Sequence, residues 1–180
     1  MSEAVSQERD RTCLRRLAEG DAGALDTIWQ HHADRAFRHA LFVTGRREDA
    51  EDVVQSVFVR LAGLGADLLG VRDLAAYLGV MVHREAVDVS KRRVKLGEHA
   101  DPDALLAALP DPEGDADRRK AAALLATLPA EQREVVVLHL WNGMTFREIG
   151  RVTGVSTFTA ASRYRLATRR LRRALEGGRR

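Results

Sequence analysis

The sequence predicts an all-α protein: two small helical domains joined by an acidic, proline-containing linker. Three observations carry this. No segment alternates apolar and polar residues with the period of two that a half-buried strand requires. Several segments instead repeat apolar residues at i, i+3, i+4 and i+7, the stripe of an amphipathic helix. Residues 96–117, LGEHADPDALLAALPDPEGDAD, hold Pro102, Pro110 and Pro112 out of four prolines in the chain, with seven acids and no Lys or Arg. Proline and like-sign charge both oppose a packed element. This stretch therefore separates a domain at residues 1–95 from one at 118–180, with one helical turn expected at 103–109.

In the first domain, DAGALDTIWQHHADRAFRHALFVTG predicts a helix from Asp21 to about Thr44. Its apolar side carries Leu25, Ile28, Trp29, Ala33, Ala36, Phe37, Ala40 and Leu41. EDAEDVVQSVFVRLAGL follows, with Ala50, Val53, Val54, Val57, Phe58 and Leu61 on one stripe. Glu51, Asp52, Gln55, Ser56 and Arg60 lie opposite. A third helix runs from about Arg72 to Val94, with Leu74, Tyr77, Leu78, Met81, Val82, Ala86 and Val89 inward. It ends in SKRRVK, and a basic C-terminus complements the helix dipole.

In the second domain, helices are expected at about 115–127 and 129–141. Pro129 suits the first position of the latter and Glu131 its first turn. After the turn WNGMT, Thr145 and Glu148 have capping-box spacing and open a short helix. Gly154 is placed to end it in the left-handed conformation. Ser156 is an N-cap for the last helix, whose apolar side is Ala160, Tyr164, Ala167, Leu171 and Leu175. Two helices joined by TGVS, with glycine in the turn, match a helix-turn-helix. Ile149, Val152 and Val155 would pack on Ala160 and Tyr164. Thr157, Phe158, Ala161, Ser162, Arg165, Arg169 and Arg172 then face outward.

Charge sharpens this reading. Net charge is +3, but residues 118–180 carry 14 Lys and Arg against 4 Asp and Glu, whereas residues 1–95 carry 15 of each. Such asymmetry points to a nucleic-acid-facing second half, although a solvated arginine face has the same composition. Small and hydroxyl side chains at the start of the last helix permit close approach to a major groove. An arginine can then take guanine bidentately, and later arginines can meet phosphates.

LPAEQREVVVLHLWNGMTFREIGRVTGVS followed by TAASRYRLATRRLRRAL resembles region 4 of bacterial sigma-70 family factors of the extracytoplasmic-function (ECF) group. DAEDVVQSVFVRL resembles the family's region 2.2, and YLGVMVHREAVDVSKRRVK its regions 2.3–2.4. DAGALDTIWQHHADRAFRHALFVTG resembles the start of region 2. The resemblance implies a promoter-recognition subunit of RNA polymerase. Asp49, Asp52 and Gln55 would dock on the clamp helices of the largest polymerase subunit, and residues 128–141 would face the flap. Arg84, Lys91, Arg92 and Arg93 would meet the minus-10 promoter region. Thr157, Phe158, Thr159, Ser162, Arg163, Arg165 and Arg169 would bind the minus-35 element. The group is commonly held inactive by an anti-sigma factor, which the resemblance implies as a further partner.

The chain departs from the family pattern at Phe158, where glycine is usual, at Ala161, where a basic residue is usual, and at Tyr164, where Leu or Ile is usual. In the region-2 segment Tyr77 stands for a common Trp and Arg84 for a common Asn.

Other functions find less support. The six histidines invite a metal, but His32 and His39 are seven apart, about 10 Å along a helix, and neither Cys nor acid stands at ligand spacing. No phosphate loop, nucleophile elbow or paired carboxylates suggest an enzyme, and no cofactor motif is present. Cys13 is alone, so no internal disulfide forms. No apolar run nears the roughly 18 residues of a membrane span. The N-terminus, MSEAVSQERDRTCLRR, lacks the apolar core of a signal peptide. Together these predict a cytoplasmic protein. The alternatives are a free-standing helix-turn-helix regulator, which has no need of the DAEDVVQ helix, and a protein-interaction module, against which the arginines speak. Two uses for the acid run are to lie in a basic polymerase channel or to fold back on the basic last helix and mask it in the free protein.

Overall fold

The computed structural model describes residues 3–96, 115–141 and 143–177. Every regular element among them is helical. The expected helical turn at 103–109, most of the linker and the proposed masking by its acids lie outside the described residues. The chain divides into two compact units, Met1–Asp101 and Pro102–Arg180.

In the first unit, α1 (Glu3–Ala18), α2 (Ala22–Thr44), α3 (Arg47–Ala62), a 3₁₀ helix (Gly65–Gly70) and α4 (Leu74–Lys95) follow in order. Helices α2, α3 and α4 pack on one another, and α1 packs on α2 and the 3₁₀ helix. The expected stripe of α3 is buried in full, from Ala50 to Leu61. Ile28 of α2 and Leu74 and Val82 of α4 are buried as well, and each large aliphatic side chain contributes about 1.5–3 kcal/mol by leaving water.

The caps explain the helix limits. The Asp21 carboxylate accepts from the Gly23 N–H at 2.9 Å and starts α2. Gly45, at φ 66°, stops it by donating its N–H to the Leu41 carbonyl. Asp73 accepts from the Ala76 N–H at 2.9 Å, so α4 begins at Leu74 and not at Arg72. Leu68 of the 3₁₀ helix is fully buried.

Two features differ from expectation. The segment before Asp21 forms α1, which buries Cys13, Leu14 and Leu17 and ties Asp10 to His32 of α2 at 3.1 Å. The buried residues of α2 are Ala24, Ile28, His32, Ala36, His39, Ala40, Leu41 and Thr44, so Ile28, Ala36, Ala40 and Leu41 lie inward as expected. Trp29 lies at their margin, 45% exposed, with its ring edge-on to Phe58 at 4.7 Å. Two histidines thus occupy core positions that an apolar count passes over. Among the described residues no helix is long and apolar enough to cross a membrane.

The second unit comprises α5 (Asp115–Ala126), α6 (Ala130–Leu140), α7 (Phe146–Thr153) and α8 (Thr157–Gly177). Leu125, Leu128, Val136 and Ala167 form its core, with Trp141, Tyr164 and Leu171 packed around them. Leu175, expected inward, is half exposed beyond this core. Pro129 is the N-cap of α6, with ψ 144°, one place earlier than expected. A proline cannot donate an N–H, so either place costs nothing in hydrogen bonds.

Candidate nucleic-acid interface

The α7–α8 pair is fixed locally before any tertiary contact is counted. Thr145 and Glu148 close a reciprocal capping box: the Thr145 N–H donates to Glu148 Oε2 at 2.8 Å, and the Glu148 N–H to Thr145 Oγ1 at 3.3 Å. Gly154 ends α7 at φ 72°, ψ 24°. The chain then returns so closely that the Val155 N–H donates to the Gly150 carbonyl at 3.0 Å. A Cβ on Gly150 would stand 2.7 Å from the Val155 carbonyl oxygen. Glycine at 150 is therefore what lets α8 start against α7, a requirement that the turn motif alone does not reveal.

Ser156 opens α8 by accepting the Thr159 N–H at 3.0 Å, and the two hydroxyls lie 2.9 Å apart. Thr159 is thus engaged in the cap. Ala160 and Ala167 are buried. Tyr164 joins His139 and Phe146 in an aromatic cluster with centroid distances of 4.8 and 5.5 Å. His139 is oriented by donating Nδ1–H to the Met144 carbonyl at 2.8 Å. These contacts set the roll of α8 about its axis.

That roll leaves Thr157, Phe158, Arg165, Arg169 and Arg172 exposed, with Ala161 and Ser162 half-buried between them. Phe158 is 75% exposed. The Arg165 guanidinium lies over its ring at 5.9 Å. Arg163 turns the other way: its side chain pairs with Glu131 of α6 at 2.7 Å. Glu134 stands beside it, its carboxyl pushed up by burial while Arg163 draws it down. Of the residues expected at the minus-35 element, Arg163 is therefore held on the protein side of α8 and Thr159 in its cap. The others share one outward face.

In the first unit, Asp52 and Gln55 are exposed on α3. Asp49 is not: it is 3% exposed and accepts from Arg93 of α4 at 2.7 and 3.1 Å, with Arg46 at 3.6 Å. The pair lines an open groove of about 320 Å³ between α3 and α4, together with Asp52, Ser56, Glu85 and Arg92. Arg84, Lys91 and Arg92 are exposed along α4, and Arg93 is partly buried by its pairing. Asp49 and Arg93, expected on two different binding surfaces, meet each other inside the unit.

Comparisons with known proteins match both parts of the chain. Residues 28–95 match the family profile of sigma-70 region 2, and residues 118–175 that of sigma-70 region 4. The chain belongs to the sigma-70 family. It is 32% identical over 165 residues to the ECF RNA polymerase sigma factor SigE of Mycolicibacterium smegmatis, covering 86% of this chain and 64% of SigE. It is 30% identical over 172 residues to the ECF sigma factor SigL of Mycobacterium tuberculosis, covering 88% and 93%. A structure of CnrH in complex with the cytosolic domain of CnrY shares the fold, with a TM-score of 0.64 and 23% identity over 94% of this chain and 98% of that one. The protein is thus an ECF sigma factor, a subunit that directs RNA polymerase to promoters.

Proposed function

We propose that this sigma factor uses three separate surfaces. Asp52 and Gln55, exposed on α3, meet the clamp helices of the largest polymerase subunit. Arg84, Lys91 and Arg92 on α4 face the minus-10 region, and Arg93 braces that helix through Asp49. Thr157, Phe158, Ser162, Arg165 and Arg169 on α8 face the minus-35 element, while residues 128–141 approach the flap. The protein acts in the cytoplasm, and an anti-sigma protein restrains it, as the CnrH–CnrY pairing suggests by analogy.

The single observation that carries the reading is the outward face of α8. It joins exposed Thr157, Phe158, Arg165 and Arg169 with half-buried Ala161 and Ser162 on a helix whose roll is set by buried Ala160 and Ala167. That order suits groove entry followed by phosphate contact. The test is in vitro transcription with core polymerase on a promoter library. Initiation at a defined promoter set, lost on reversing Asp52 and Gln55 to lysine, supports the assignment. DNA binding without polymerase-dependent initiation favours a free-standing regulator.

A further inference from the structure

Phe158 stands out on α8. It is a large apolar side chain, 75% exposed, in the first turn of a helix where its neighbours Thr157, Ala161 and Ser162 are small or polar; the next exposed large apolar side chain, Leu166 at 44%, lies two turns further on. No packing role explains it, because the buried side of α8 is made by Ala160 and Ala167. Phe158, Ala161, Ser162 and Arg165 lie at i, i+3, i+4 and i+7, so they form one line along the helix. Helical side chains lean toward the N-terminus. Arg165 accordingly reaches back past Ala161 and Ser162, both too small to block it. Its guanidinium comes to 5.9 Å from the Phe158 ring centroid. An aromatic face attracts a guanidinium at that range, so the contact holds an otherwise flexible side chain over the leading end of the helix.

We infer that Phe158 and Arg165 act as one reading head, the ring contacting the 5-methyl of a thymine and the guanidinium taking O6 and N7 of a guanine within two base steps of it. The inference rests on the assignment of α8 to the minus-35 element and adds the bases it reads. The thymine methyl is the apolar group that base edges offer in the major groove, and phenylalanine is among the side chains that meet it. Arginine is the commonest bidentate partner of guanine. The spacing agrees, because 5.9 Å spans between one and two base steps of about 3.4 Å. Phe158 thus specifies a base, and its contact with Arg165 links the two preferences.

The test uses the full chain with core polymerase. Bound promoters are first selected from a library randomised in the upstream element. Each thymine of the selected element is then replaced in turn by deoxyuridine, which removes only the methyl. At one position within two steps of a guanine, the wild type should lose about three- to fivefold in affinity, the factor that burial of one methyl confers. Phe158→Ala should bind thymine and deoxyuridine probes equally there, and Phe158→Leu should restore part of the difference. Arg165→Ala should lose the guanine preference. Exposure of Phe158 means that the variants should keep the wild-type melting temperature. An element that depends on Arg169 but is insensitive to deoxyuridine everywhere overturns the thymine contact alone. So does a Phe158→Ala variant that weakens core binding and leaves base preference unchanged. Recovery of no upstream element, with Arg169→Ala without effect, overturns the assignment of α8 itself.

Discussion

Asp49 and Arg93, 44 residues apart in sequence, join α3 to α4 through hydrogen bonds of 2.7 and 3.1 Å at a carboxylate that is 3% exposed. The pair braces the groove beside the exposed Asp52. It gives these two residues an architectural role within the unit that carries the proposed polymerase surface.

Removing one partner should therefore destabilise the unit before it changes any binding surface. Asp49→Asn keeps the shape but weakens a charge-assisted bond, and Arg93→Ala leaves a buried carboxylate with less compensation. Breaking a fully buried pair costs about 3–5 kcal/mol. Arg93 is about one-third exposed, so a loss of about 1–3 kcal/mol is expected for Arg93→Ala. Urea unfolding measures it. A variant of unchanged stability that had lost only minus-10 binding would show that Arg93 is a DNA contact after all.

The arginines of α8 should separate by salt dependence. Each phosphate contact adds about 0.9 to the slope of log affinity against log salt. Arg169→Ala should flatten the slope for promoter binding by the holoenzyme by about one. Arg163→Ala should leave it almost unchanged, because Arg163 is turned to Glu131. Glu131 is 68% exposed, so that pair contributes at most about 1 kcal/mol to stability. Equal flattening by both substitutions would mean that Arg163 leaves Glu131 when DNA binds.

Gly150→Ala should damage the helix pair although it replaces a helical glycine with the best helix former. The added Cβ would meet the Val155 carbonyl oxygen at 2.7 Å and the Thr157 nitrogen at 3.3 Å, both backbone atoms. Relief requires α8 to move off α7, at a cost of about 1–3 kcal/mol. Reduced stability of the second unit together with weakened promoter binding is the expected result, measured by thermal melting and holoenzyme binding. A gain in stability would show that the turn can open freely.

The legible parts of this molecule are those written in neighbouring residues. The α3 stripe, the Thr145–Glu148 box and the Gly154 stop all depend on spacings of a few residues, and each stands as expected. Helix α1 was not legible, because Cys13, Leu14 and Leu17 are few and their burial is supplied by α2 and the 3₁₀ helix. The exposed positions of the α8 face were readable from its stripe. The pairing of Arg163 was not, since Glu131 is 32 residues away. One sign was present: Arg163 stands three after Ala160 and four before Ala167, near the buried line. Asp49 likewise stands four before Val53. A charged residue on an apolar stripe asks for a partner, and the sequence does not say which.

His39 and His83 should make the first unit acid-labile. Their Nε2 and Nδ1 atoms lie 3.3 Å apart between α2 and α4. Burial, then His83 and Arg35, hold the His39 pKa well below its usual value, and burial takes His83 down to about 4. Both are therefore neutral in the folded protein at pH 7. Above the ordinary histidine pKa of about 6.5 the unfolded chain is neutral there too, and stability is complete. As the pH falls below that value the unfolded chain binds protons that the folded pair refuses. Stability should decline from about pH 6.5 to about pH 4, by about 3 kcal/mol from His83 alone; the His83 contribution ends as folded His83 protonates, while that of His39 carries the decline on to lower pH. Urea unfolding in a Trp141→Phe background, where Trp29 alone reports, follows the first unit through this window. His83→Gln removes one titrating group and should make the decline shallower; an unchanged pH profile in that variant would assign the acid lability to other groups.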